Sequence, residues 1–424
     1  MAGIGSRVSE QWLAEWIVSP HTVKPSTTMP AMVDGTTEQG KKDAADIASY
    51  LATLTAHTDI AQQPVTSLEK DIKLGGGHFH ALGCVSCHSL PGQAYDKETD
   101  RIPLDRISQK YSTSTLAAFL LEPEKNHASI KMPNFNLSKD EAAHLSAFLY
   151  AKSDGKAPAT LIKKKGDAER GKKLVTQLNC ASCHENLPTR SNNSNNIPSF
   201  EAILDKSWKD HGCLPAKRPG KTPVFNLTKN EREAIENFHN QFKKDAPTAL
   251  SSVSPTDFAT RQLKTLNCSS CHQRDDTPSL LASLHSQSKH LTEGIPVDEH
   301  HGVDQSRPSL SYVGEMLHSE YIHEIIDGSI SPRPRPWLEM RMPAFSSRAE
   351  LLTKGLAGQH GMPPSKVDIT NLDPEKIEIG KQLIGSNGGF ACVICHADGE
   401  TKALAAFEVE GVNLDQVARR LHSG

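Results

Sequence analysis

Apolar residues recur at intervals of three and four in four stretches of this chain. They are SLEKDIKLGGGHFHALG (67–83), GDAERGKKLVTQLN (166–179), DFATRQLKTLN (257–267) and EKIEIGKQLIGSNGGFA (375–391). That period is the signature of an amphipathic α-helix. A second set of helical patterns lies further along: SKDEAAHLSAFLYA from Ser138, TKNEREAIENFHNQF from Thr228 and SRAELLTKGLA from Ser347. Each opens with S/T-x-x-E, a capping box that satisfies orphan N–H groups at a helix start. Between the two sets the pattern is irregular and rich in proline. No apolar run approaches the roughly 20 residues needed to span a bilayer. The expectation is an all-α chain of repeated two-helix modules joined by long loops.

Cysteine placement gives the repeat its chemistry. Eight of the nine cysteines fall in four copies of C-x-x-C-H, each directly after one of the first helices. These are Cys84, Cys87 and His88; Cys180, Cys183 and His184; Cys268, Cys271 and His272; and Cys392, Cys395 and His396. Chance placement at this composition gives on the order of 0.01 such matches, and the pattern reads as c-type haem attachment. Thiols at i and i+3 on one helical turn face the same way, so each can form a thioether with one vinyl group of a single haem. The histidine that follows then lies beneath the porphyrin and can ligate the iron. Structural zinc would bring paired CxxC units some 12 to 20 residues apart. Successive motifs here begin 96, 88 and 124 residues apart. A thioredoxin-like pair or four local disulfides would leave the four histidines unexplained.

Two of the second helices are preceded by methionine and proline, KMPNF at Met132 and RMPAF at Met342. A thioether on an extended loop is the partner expected on the far side of a low-spin electron-transfer haem, where it raises the reduction potential. The unit of helix, C-x-x-C-H, Pro-rich stretch, Met-Pro and helix resembles the class I c-type cytochrome domain. The flanks ALGCVSCHSLPG, TLAAFLLEP and RPSLSYVGEMLHSEY resemble the tandem cytochrome c modules of large planctomycete-type secreted proteins.

On this reading residues 65–155 form a complete domain, with His88 proximal and Met132 distal. Residues 256–364 form another, with His272 proximal and Met342 distal. Met316 reads as packing, and Met362 comes late for the pattern. Residues 160–245 form a cytochrome c-like domain without an obvious axial methionine. His211, beside Cys213, is the candidate ligand opposite His184, with His239 inside the final helix. Residues 1–60 hold the C-terminal half of a module, with Met29 in TTMPAM. Residues 375–424 hold the N-terminal half of one, with His396. Either the chain is cut from a longer array or the two ends close together, with Met29 serving the haem on His396. The ends GSRVSEQWL and ARRLHSG duplicate one place in the module, which favours the cut.

Composition adds a few bounds. Hydrophobic residues make up 37% of the chain and aromatics 5%, thin for 424 residues, so a covalently held apolar cofactor would help fill each core. A net charge of -3, without a basic run, gives no argument for nucleic acid or a membrane surface. The first 30 residues contain no basic stretch followed by an apolar core of signal-peptide type. The cytochrome resemblance implies four haem c groups, periplasmic or extracellular placement, and electron transport between redox partner proteins, other cytochromes among them. It leaves open a peroxidase-like enzyme using the haem at His184, and an electron-donor module of a larger oxidoreductase.

Overall fold

A computed structural model of the chain describes residues 3–55, 68–93, 95, 97–153, 162, 165–184, 187, 200–204, 206–208, 214–215, 223–242, 253–295, 307–335, 338, 340–362, 373–405 and 411–422. It is mostly helical, as the periodicity requires. The helices that bear on the motifs are α1 (Glu10–Val18), α2 (Glu38–Ala52), α3 (Glu69–Ala81), α4 (Thr113–Leu121), α5 (Lys139–Ser153), α6 (Ala168–Gln177), α7 (Lys229–Phe242), α8 (Pro255–Thr265), α9 (Ser319–Asp327), α10 (Ala349–Gly358) and α11 (Pro374–Ile384). Among the described residues none of the helices is long and apolar enough to cross a membrane. The chain forms two compact units interleaved along the sequence. One takes residues 1–75, 88–120 and 139–252, the other 76–87, 121–138 and 253–424.

In the first unit the helix before the second motif, α6, packs against α2 from the beginning of the chain. The sequence allows a close crossing because small residues line both faces. Ala44 and Ala48 of α2 are fully buried, and Gly171 of α6 lies against the backbone carbonyl of Asp46. Asp167 caps α6, its Oδ1 accepting from the N–H groups of Glu169 (2.9 Å) and Arg170 (3.1 Å). Its own N–H donates to Asp46 Oδ1 across the crossing at 2.7 Å. Arg170 bridges the same pair of helices. Its Nη1 donates to Asp43 Oδ1 at 2.8 Å, and its Nε lies 2.6 Å from Asp46 Oδ2, close enough for an ion pair although the N–H is not aimed along the contact. A buried carboxylate such as Asp46 is costly without this pairing. One apolar core joins Leu13, Ile17, Val33, Ile47 and Leu51 with Val175 and Leu187, and Cys180 and Ala181 pack on its edge.

That core overturns one expectation. The helix before Cys180 closes on residues 38–52, not on the helix inside 160–245. Elsewhere in the first unit the pattern holds. Gly75 of α3 lies against the carbonyl of His144 in α5, so these two helices cross closely. Thr228 and Glu231 form the expected capping box of α7, the Thr228 N–H donating to Glu231 Oε2 (2.6 Å) and the Glu231 N–H to Thr228 Oγ1 (3.2 Å).

In the second unit the helix before the third motif, α8, packs on α10. Ala259, fully buried, faces Gly355 at the crossing. The core adds Ile322 and Ile326 of α9, with Cys268 and Phe345 packed against it. Ser347 does not cap α10 as expected. The chain enters through a 3-10 turn at Ser346–Arg348, and Glu350 pairs forward with Lys354 at 2.6 Å. Met316, expected to pack, is 54% exposed. Helix α11, before the fourth motif, has no buried residue, and nothing lies within 4 Å of a Cβ built on Gly380. The tail pairs antiparallel with a like sequence, Leu421 of RRLHS against Leu317 of EMLHS. In the first unit Ser9 of SRVSE pairs with Lys110 of QKYST, its N–H donating to the carbonyl at 2.9 Å.

Candidate functional site

All four C-x-x-C-H motifs fold as one turn. The residue before the first cysteine takes a left-handed conformation: Gly83 (φ 69°), Asn179 (53°), Asn267 (58°) and Ala391 (61°). Glycine and asparagine adopt this region readily and end the preceding helix; alanine does so at a cost of about 1–2 kcal/mol. A 3-10 turn follows rather than the α-helical turn expected from the spacing. The N–H of the second cysteine donates to the carbonyl of the first, at 3.2 Å for Cys87, 3.3 Å for Cys183, 3.1 Å for Cys271 and 3.2 Å for Cys395. The histidine N–H donates to the same carbonyl at 3.0 Å for His184, 2.9 Å for His272 and 3.0 Å for His396. Two sulfurs and an imidazole are thus delivered in one register by backbone geometry alone.

Three of the histidines are oriented by the chain downstream. The Nδ1 of His88 lies 3.3 Å from the carbonyl of Ile102, that of His272 2.7 Å from Pro308, and that of His396 2.8 Å from Val412. A carbonyl only accepts, so Nδ1 is the donor and the neutral ring keeps its lone pair on Nε2. This is how a ligating histidine is fixed in tautomer and orientation. Strand β1 (His88–Ser89) pairs in parallel with β2 (Ile102–Pro103) to bring the first carbonyl up, and a parallel bridge from His396 to Gly411 does the same for the fourth motif. Gly411 is required there, since a Cβ would sit 2.4 Å from the His396 ring. Burial holds the His88 imidazole down at about 4, with Lys24 adding to the effect, and it lowers His272 as well. Both rings are therefore neutral near pH 7.

Four of the motif thiols point away from thiolate chemistry. Burial pushes Cys84, Cys87 and Cys268 up to about 12 and Cys180 up to about 11. Reactive or metal-binding cysteines need the opposite, a thiolate stabilised by nearby positive charge. None of the eight motif cysteines is in a disulfide, and among the described residues no three His, Cys, Asp or Glu side chains converge as a metal cluster.

The Met-Pro loops have their own recurring placement. Asn134, two residues after Met132, bridges Ala344, two residues after Met342, through N–H···O bonds of 3.0 and 2.7 Å. Ala31, two residues after Met29, bridges Val224 in the same way, at 3.0 and 3.2 Å. The Met132 loop is further held by Arg348, whose guanidinium donates to the carbonyls of Ser129 (2.6 Å) and Ile130 (2.9 Å). Met132 and Met29 are partly buried, and Met342 is 42% exposed. The Met29 sulfur accepts from Trp16 Nε1 at 2.8 Å. His211 and Cys213 lie outside the described residues. His239 is a satisfied core residue, its Nε2 2.6 Å from the Leu204 carbonyl and its ring stacked on Trp208 at 4.2 Å.

Sequence reasoning missed two features of the second unit. Met340 is buried against Gly83, the residue before Cys84, with its sulfur 3.3 Å from Arg307 Nε. The turns of the first and third motifs also lie side by side: Cys271 Sγ is 3.4 Å from Ser86 Oγ. Beside them His80 and His285 stack at 3.7 Å, with His80 Nδ1 2.9 Å from Ser288 Oγ. No local signal in the sequence marks a pairing of residues 185 positions apart. Comparison of the chain with protein-family models, with curated proteins and with solved structures found no match.

Proposed function

We propose that this chain is a multihaem c-type cytochrome that carries electrons between redox partners, with one haem attached at each C-x-x-C-H motif. The observation that carries this reading is the fourfold turn, with His88, His272 and His396 each bonded through Nδ1 to a backbone carbonyl. The donor set fits the group. The thiols of Cys84, Cys87, Cys180 and Cys268, held protonated by burial, suit thioether bonds, and a histidine with Nε2 left as acceptor suits an iron ligand. Bound haem supplies a one-electron Fe(III)/Fe(II) couple tuned by axial ligand, burial and hydrogen bonding. The chain's own part is to hold and orient. Cys84, Cys87, Cys180, Cys183, Cys268, Cys271, Cys392 and Cys395 would hold haem through thioether bonds, and His88, His184, His272 and His396 would each ligate an iron. Met132 and Met342 would supply a second iron ligand to the first and third groups.

The contact between Ser86 and Cys271 favours a relay over isolated sites, because motif turns this close would hold two such groups near one another. Attachment of this kind goes with periplasmic or extracellular placement, and with other cytochromes or redox proteins as partners. The test is to mature the full chain in a host that ligates haem outside the cytoplasm, then extract it with acidified acetone. Colour that stays with the polypeptide is the expected result. Colour that passes into the solvent, or a colourless polypeptide, refutes the proposal.

A further inference from the structure

We infer that Met29 is the distal partner of His184, so that residues 3–55 complete the site of the second motif although they precede it by more than a hundred residues. The inference rests on the haem reading above and adds the ligand that the 160–245 segment lacks.

The argument comes from the two cores. In the second unit, the core around Cys268 is built from the helix before the motif (α8), the helix that crosses it (α10), a third helix (α9), and Phe345, three residues past Met342. In the first unit, the core on which Cys180 packs has the same parts: the helix before the motif (α6), the helix that crosses it (α2), a third helix (α1), and Val33, four residues past Met29. Small residues make both crossings possible, Ala259 and Gly355 in one and Gly171 in the other. The loops correspond as well, since Ala31 and Ala344 each lie two residues past their methionine and each form an antiparallel bridge. Met29 therefore stands to Cys180 and His184 as Met342 stands to Cys268 and His272. Its sulfur is held by Trp16 Nε1, and Trp16 stacks on Trp12, which packs on the core that Cys180 joins. A methionine so placed gives the second site the same ligand pair as its neighbours, and it removes the open position that a peroxidase-like role for His184 would need.

The test uses the full haem-loaded chain and the far-red methionine–iron(III) charge-transfer absorption. Met29→Ala should remove roughly a third of that absorption, one methionine ligand of three, and open one iron to carbon monoxide. Met29→His should remove the same share while the iron stays low-spin and its potential falls. In a chain whose Cys180 and Cys183 are both serine, so that no haem is held there, Met29→Ala should change nothing. Two outcomes overturn the inference: no change on Met29→Ala in the parent chain, or an undiminished effect in the chain lacking the second attachment. Failure of the haem reading itself looks different, because the parent chain would then be colourless.

Discussion

Gly171→Ala tests the crossing on which the second site depends. A Cβ at Gly171 would lie 1.9 Å from the carbonyl oxygen of Asp46 and 2.5 Å from its carbon. Ordinary contact begins near 3.4 Å, so α6 and α2 must part by about 1.5 Å. A gap of 0.5–1 Å already forfeits a quarter to a half of each dispersion contact across the seam. Val175, Ala44 and Ala48, all at most 1% exposed, lose most. A fully buried side chain makes some tens of contacts of ~0.1–0.2 kcal/mol, so losing a quarter of them at these positions costs about 3–4 kcal/mol. Alanine returns about 1 kcal/mol of helix propensity, leaving a net loss of about 2–3 kcal/mol. Gly380→Ala is the matched control. It changes the same residue type in the corresponding helix α11, where nothing lies within 4 Å, and should be neutral or stabilising by up to ~1 kcal/mol. Denaturant unfolding followed by far-ultraviolet dichroism and by the fluorescence of Trp12 and Trp16 reads both. Equal midpoints for the two variants would refute the packing of residues 38–52 on the helix before Cys180.

Gly411→Ala should push the His396 ring off its carbonyl partner and shift the absorption of one haem while all eight thioether bonds persist; an unchanged spectrum would count against the orienting role of Val412. Ala391→Gly relieves a left-handed alanine and should stabilise the fourth motif by about 1 kcal/mol, read as slower amide exchange across Cys392–Cys395, with no change or faster exchange as the contrary result. His80 is held down at about 4 by burial, then by His285, Lys289 and His290, against an ordinary 6.5. Between those values the unfolded chain binds the extra proton, so stability should be constant above pH 6.5 and fall as the pH drops toward 4. His80→Gln should flatten that decline in denaturant midpoint, and an equally steep decline in the variant would contradict the assignment.

The features legible in the sequence are those that local geometry dictates. The helices before each motif follow from period, and the cysteine and histidine register follows from spacing. The Thr228–Glu231 box forms as read, because both partners sit within one turn of helix. Ser347 shows the limit of that rule, since the chain enters α10 by a 3-10 turn and Lys354 takes Glu350 instead. The partner of α6 was not legible. Module boundaries in a sequence are drawn by adjacency, and a glycine such as Gly171 reads there only as a weak spot in a helix. Its reason lies in a carbonyl 125 positions away in the chain. The carbonyls that orient His88, His272 and His396 were hidden for the same cause, being 14, 36 and 16 residues downstream in irregular loops. The side-by-side turns of the first and third motifs required the fold itself.

The most direct measurement is the intact mass of the full chain after export and maturation in a haem-ligating host. A mass exceeding that of the polypeptide by four haems, one for each cysteine pair, is the predicted result. A bare polypeptide mass with eight alkylatable motif cysteines would contradict it.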